Sequence, residues 1–139
     1  EWSFNSSRKN YDLGLISDCE AMNVVSESDI WFWYYTDHHL VHLRNETLVG
    51  VWRDLDEISG LHGSTSFALH EMNALFSGGY HAKHQLIMVN LDTLHHQDLL
   101  PCRPDGEPLQ DFRSRARGSK MVLWDQSAIY ITDLSEWDG

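Results

Sequence analysis

Wherever the chain is regular, its apolar positions alternate with polar ones or run together in short blocks, and both patterns predict strands. Residues 29–36 hold the run Ile30-Trp31-Phe32-Trp33-Tyr34-Tyr35, aromatic and β-branched enough for a strand buried on both faces. Residues 40–43 and 47–53 flank Arg44-Asn45-Glu46 as the arms of a hairpin. Thr65, Phe67 and Leu69 alternate as a strand, and residues 85–91 (Gln-Leu-Ile-Met-Val-Asn-Leu) predict a central one. A last hairpin joins residues 120–124 and 128–132 around Asp125-Gln126-Ser127.

Three segments break this pattern. In residues 18–27 the three-residue step from Met22 to Val25, beside Cys19 and Ala21, predicts a short helix. Residues 54–63 are a charged connection with one helical turn at most, and residues 92–119 read mostly as loop because Pro101, Pro104, Gly106, Pro108 and Gly118 interrupt them. Residues 1–10 read as a loose polar arm in which Trp2 and Phe4 alternate with polar neighbours. The expectation is an α+β fold, with one short helix packed on an antiparallel sheet of about five to seven strands.

At 139 residues the chain suits a single domain with its own core. Its longest apolar run is too short to cross a bilayer, so no membrane partner is expected. The formal charge of −11 repels polyanions, leaves nucleic-acid binding weak at most and favours a basic partner surface. Four of the ten cations, Arg113, Arg115, Arg117 and Lys120, fall within eight positions. On an extended backbone the three arginines project to one side, which makes them phosphate or RNA contact candidates; as a solvated face they would instead neutralise nearby carboxylates.

Nine histidines raise the question of a metal. His38 and His39 are adjacent, His39 is three residues from His42, and the glycines before His81 and His84 favour a turn, so no pair has ligand spacing. No metal or cofactor is expected: His-Glu-x-x-His, Cys-x-x-Cys, Gly-x-Ser-x-Gly and a phosphate-binding glycine loop are all missing. General acid–base chemistry needs only a carboxylate and a histidine, which His70-Glu71 with His95-His96 offer if the fold unites them.

The paired cysteine count, a first residue other than methionine and two sequons, Asn5-Ser6-Ser7 and Asn45-Glu46-Thr47, favour a secreted protein with a Cys19–Cys102 disulfide. Closing a loop of about 80 residues would remove up to about 4.5 kcal/mol of denatured-state freedom.

The segment Leu75-Phe76-Ser77-Gly78-Gly79-Tyr80-His81-Ala82-Lys83-His84-Gln85-Leu86-Ile87-Met88-Val89-Asn90 resembles the aromatic-Ser-Gly-Gly turn that leads into the central strand of the small secreted fungal ribonucleases. It is also similar to the matching stretch of the RNase-like secreted effectors of powdery mildew fungi, which share an early-to-late disulfide and a tyrosine before the first cysteine, here Tyr11. The resemblance implies a helix packed on a curved antiparallel sheet, one ribonuclease-like domain over residues 1–139, with 103–139 as a loop-and-hairpin extension. It implies Glu71 at the glutamate position and His95 or His96 at the histidine position. At the arginine position stands Gln85, whose neutral amide cannot give the charged, bidentate grip that stabilises a phosphoryl transition state.

The resemblance therefore implies a secreted, monomeric and non-catalytic effector, delivered to the host cytoplasm and bound to a host protein or a plant immune receptor. Two other readings stay open. One is an active secreted endoribonuclease using Glu71 with His95 or His96. The other is an acidic interaction protein, such as an immunity protein whose negative surface masks a basic nuclease.

Overall fold

The computed structural model describes residues 19–34 and 39–137, which form eleven strands in three antiparallel sheets. The first sheet is a meander of β1 (Cys19–Ser26), β2 (Asp29–Tyr34), β3 (Leu40–Arg44) and β4 (Thr47–Trp52). Two 3-10 turns, η1 (Asp54–Glu57) and η2 (Ser59–Leu61), lead into the second. This is a meander of β5 (Ser66–His70), β6 (Asn73–Ser77), β7 (Leu86–Asn90) and β8 (His96–Leu99). In the third sheet β10 (Lys120–Trp124) lies between β9 (Arg113–Arg117) and β11 (Ile129–Asp133), and η3 (Leu134–Glu136) follows.

The helix-on-sheet expectation is overturned: every helical element among the described residues is a 3-10 turn of three or four residues. Residues 19–26 form strand β1, because the positions that bury are Ala21 and Asn23, two apart. Met22 and Val25, whose spacing suggested a helical face, are 51% and 42% exposed. Residues 92–119 also hold more order than their prolines and glycines predict, since β8 precedes Pro101 and β9 follows Pro108. The expectations for residues 1–10, Asn5, Tyr11 and His38 lie outside the described residues. No helix among the described residues is long and apolar enough to cross a membrane.

The second sheet is the middle layer. On one face, Phe67, Phe76, Ile87 and Val89 pack with Trp31, Trp33 and Leu40 of the first sheet. On the other, Ala68, Leu75 and Leu86 pack with Met121 and Leu123 of the third, joined by Leu109 and Leu134. Burial on both faces explains why residues 86–89 are apolar at every position, with no alternation. The first sheet's other face carries a third cluster of Phe32, Tyr34, Val41 and Leu43.

One buried side chain ties the three sheets together. Asn23 on β1 has no solvent exposure. Its Nδ2 donates to the carbonyls of Phe67 on β5 and Gly118 in the β9–β10 turn, each at 2.9 Å. Its Oδ1 accepts the Gly118 N–H at 2.7 Å, and the Gly118 carbonyl also accepts the Leu69 N–H at 2.8 Å. The turn favours glycine because Gly118 has φ of +58°, a backbone region most side chains disfavour. A second buried polar joint crosses the middle and third sheets, where Ser114 Oγ lies 2.6 Å from Ser66 Oγ and donates to Ser77 Oγ at 2.9 Å.

Removing the Asn23 amide would leave the buried Phe67 carbonyl and the half-buried Gly118 N–H without their Asn23 partner. Asn23→Ala should therefore cost about 2–4 kcal/mol, from roughly 1–3 kcal/mol for each of the two orphaned groups with the half-buried Gly118 N–H near the low end. Urea unfolding measures it, and a loss within error would mean that the joint opens to water at no cost.

Candidate functional site

Strand β8 is short and polar, and its two faces differ. The register pairs His96 with Val89 and Asp98 with Ile87, so both polar side chains lie on the side facing the first sheet. Leu99 pairs with Leu86 and lies on the opposite side, facing the third sheet. A cleft of about 320 Å³ opens on the polar side, between β8, the η1–η2 segment and the turn before β7. Glu57, Ser59, His81, Gln85, His96 and Asp98 supply its polar lining, and none of its lining residues is Lys or Arg.

The Ser-Gly-Gly turn has a packing role in that wall. A Cβ on Gly79 would lie 2.2 Å from the Gly60 carbonyl oxygen, and Gly60 itself lines the cleft. Only glycine lets the two backbones approach so closely. The Tyr80 N–H then donates to the His62 carbonyl at 2.7 Å, holding the turn against the η2 segment.

The sequence candidates scatter around this geometry. Gln85 and His96 both line the cleft. Glu71 does not: it sits in the β5–β6 turn at φ of +54° with its side chain 79% exposed, and its nearest imidazole is His70, 3.9 Å away. His95 lies in the turn before β8 and is also outside the cleft lining. No ion pair joins Glu71 to His95 or His96 among the described residues, so the expected carboxylate–histidine pair is not assembled. No group of three or more His, Cys, Asp or Glu is placed to hold a metal ion among the described residues.

Arg113, Arg115 and Arg117 do project from one face of β9, and Lys120 pairs with Arg117 on the neighbouring strand. Part of their bonding capacity is spent inside the protein. Arg117 Nε donates to the Val24 carbonyl at 3.1 Å, and the Arg115 guanidinium lies 6.0 Å from the Trp124 ring. Nor is the expected disulfide formed: no bond joins Cys19, which opens β1, to Cys102, which follows β8, and both residues are exposed. Each thiol instead donates weakly to a carbonyl two residues away, Ala21 and Leu100.

Among the described residues a part-buried histidine–carboxylate pair joins β2 and β3, and local spacing gives no sign of it. His42 Nε2 lies 2.7 Å from Asp29 Oδ1, and the His42 ring stacks on Trp31 with centroids 3.8 Å apart. Trp52 also stacks against Trp31, with centroids 5.2 Å apart, and donates Nε1–H to the Leu91 carbonyl. A pairing of residues 29 and 42 is invisible to local spacing. It follows from the strand register, which sets Trp31 opposite His42. Among the described residues no hydroxyl or thiol bonds to the His42 ring, so the pair orients no nucleophile and holds two strands together.

Glu57, Asp98 and His81 of the cleft were likewise missed. The signal available was the alternation His96-Gln97-Asp98-Leu99, masked by the prolines that follow it. Fold and cleft together define an all-β acidic protein with a carboxylate- and histidine-lined cleft beside an edge strand. The YxzG family model matches residues 6–132, and the chain belongs to the YxzG family. No curated protein matches the chain.

Burial pushes the His42 imidazole below its ordinary value of 6.5, against the opposing pull of Asp29. The folded protein thus takes up this proton less readily than the unfolded chain. The stability tied to neutral His42 is complete well above pH 6.5 and is lost as the pH falls from there through the lower folded-state value. Urea midpoints should drop from pH 7.5 to pH 5, and the slope against pH should be shallower in His42→Gln. Equal slopes would mean that His42 titrates alike in both states.

Proposed function

We propose that the protein is a non-enzymatic acidic interaction protein that binds a basic partner protein and masks its cationic surface, as an immunity protein masks a basic nuclease. The observation that carries this reading is the separation of charge. Glu57 and Asp98 line a cleft without Lys or Arg, while Arg113, Arg115, Arg117 and Lys120 gather on the third sheet. With an overall charge of −11, the field at the cleft attracts cations and accelerates their encounter. A lysine or arginine entering it would meet two carboxylates and the Gln85 amide within one concavity.

The fungal-effector reading loses the two structural features that the resemblance implied, the helix on a curved sheet and the early-to-late disulfide. The ribonuclease reading loses its named pair, because Glu71 forms no ion pair with His95 or His96 among the described residues. Purified protein should give no turnover of single-stranded RNA; cleavage abolished by Glu71→Gln would reverse this conclusion.

The cleft is tested with decalysine as the cationic probe. Glu57→Gln with Asp98→Asn should weaken binding about tenfold, whereas removing the same charge at exposed Asp105 and Glu107 should weaken it far less. Equal losses in the two double variants would show bulk charge at work and would remove the cleft from the proposal.

A further inference from the structure

Strand β8 is the outer strand of the middle sheet, pairing with β7 alone among the described residues. An edge strand presents a row of backbone donors and acceptors to any chain that lies alongside it. Its residues His96, Gln97 and Asp98 are exposed, so this edge is open to solvent. Beyond it, on the Leu99 side, lies an apolar groove of about 370 Å³ between β8 and β11. Leu99, Leu100, Tyr130, Ile131 and Trp137 line it, with Leu100, Ile131 and Trp137 54%, 70% and 41% exposed. The same strand is therefore the wall between an acid-lined cleft and an apolar groove.

We infer that β8 binds an extended segment of a partner protein by strand addition, the segment alternating basic and apolar residues. Side chains of an added strand point alternately to the two faces of the sheet. Those on the His96 and Asp98 side reach the carboxylates of Asp98 and Glu57, which select lysine or arginine. Those on the Leu99 side reach the groove, which selects valine, isoleucine or leucine. Backbone pairing supplies affinity, and the two chemically different sides set the register, because a slip of one residue would put cations in the apolar groove. The inference rests on the basic-partner reading above and adds the conformation and the sequence pattern of what is bound.

Three decapeptides separate the alternatives on the full chain: alternating Lys–Val, alternating Lys–Ser with the same charge, and Lys–Val with its backbone N-methylated at every second residue. Calorimetry should show Lys–Val binding at least tenfold tighter than Lys–Ser, and N-methylation should abolish that advantage. Hydrogen exchange should slow at His96 and Asp98, whose N–H groups point away from β7, when Lys–Val is bound. Ile131→Lys and Leu100→Lys change exposed side chains, and with unfolding midpoints unchanged each should erase the difference between Lys–Val and Lys–Ser. Equal affinity of the three peptides, with salt-dependent binding still lost in Glu57→Gln with Asp98→Asn, would overturn strand addition and leave the basic-partner reading intact. Failure of every peptide and of decalysine to bind would overturn both.

Discussion

The three sheets meet at a single desolvated amide. Asn23 closes hydrogen bonds to β5 and to the β9–β10 turn from a position without solvent exposure, so one side chain of the first sheet satisfies groups of the other two at the point where they meet. A buried amide would be a liability without those partners and is directional with them. Apolar contact alone would let the sheets slide over one another; the bonds to Phe67 and Gly118 define one relative placement. The serine network between β5, β6 and β9 has the same character, a small polar contact inside an apolar interface.

That placement makes the middle sheet a shared wall. Its β5, β6 and β7 strands are covered on both sides, and only β8 reaches solvent with one side toward each neighbouring layer. The chemical contrast across β8 is a consequence of layering: one neighbour contributes the charged η1 turn, the other contributes leucines and the apolar residues of β11. A two-layer protein would have no such strand, because one of its faces would be open water.

Charge is arranged on the same plan. An excess of carboxylates repels itself, and the chain places four of its cations on the third sheet, where Arg117 reaches the Val24 carbonyl. Carboxylates in turns are held by local hydrogen bonds. Asp125, for example, accepts the Ser127 and Ala128 N–H groups, and together with the Ser127 hydroxyl and Arg103 these hold its pKa at about 2. Glu57 and Asp98 line the cleft with no such internal cation in its lining, which leaves their field directed outward.

Local pattern alone sufficed for the strands at residues 29–34, 40–44, 47–52, 86–90, 120–124 and 129–133, because dense apolar or β-branched runs leave few other ways to bury their surface. It read residues 113–117 as part of a long loop, where strand β9 forms; once the segment is extended, side chains two residues apart share a face, and that sets the three arginines on one side. It failed at β1, where Met22 and Val25 mimic a helical face while only Ala21 and Asn23 turn inward, and at β8, which has one apolar residue among four. Both strands owe their existence to neighbours: β1 to pairing with β2 and to the Asn23 joint, β8 to pairing with β7. The pair His42–Asp29, the placement of Gln85 and His96 in one cleft, and the separation of Glu71 from both histidines were settled by strand register and sheet stacking. Those are long-range choices, and a sequence carries them only through the sum of all its contacts.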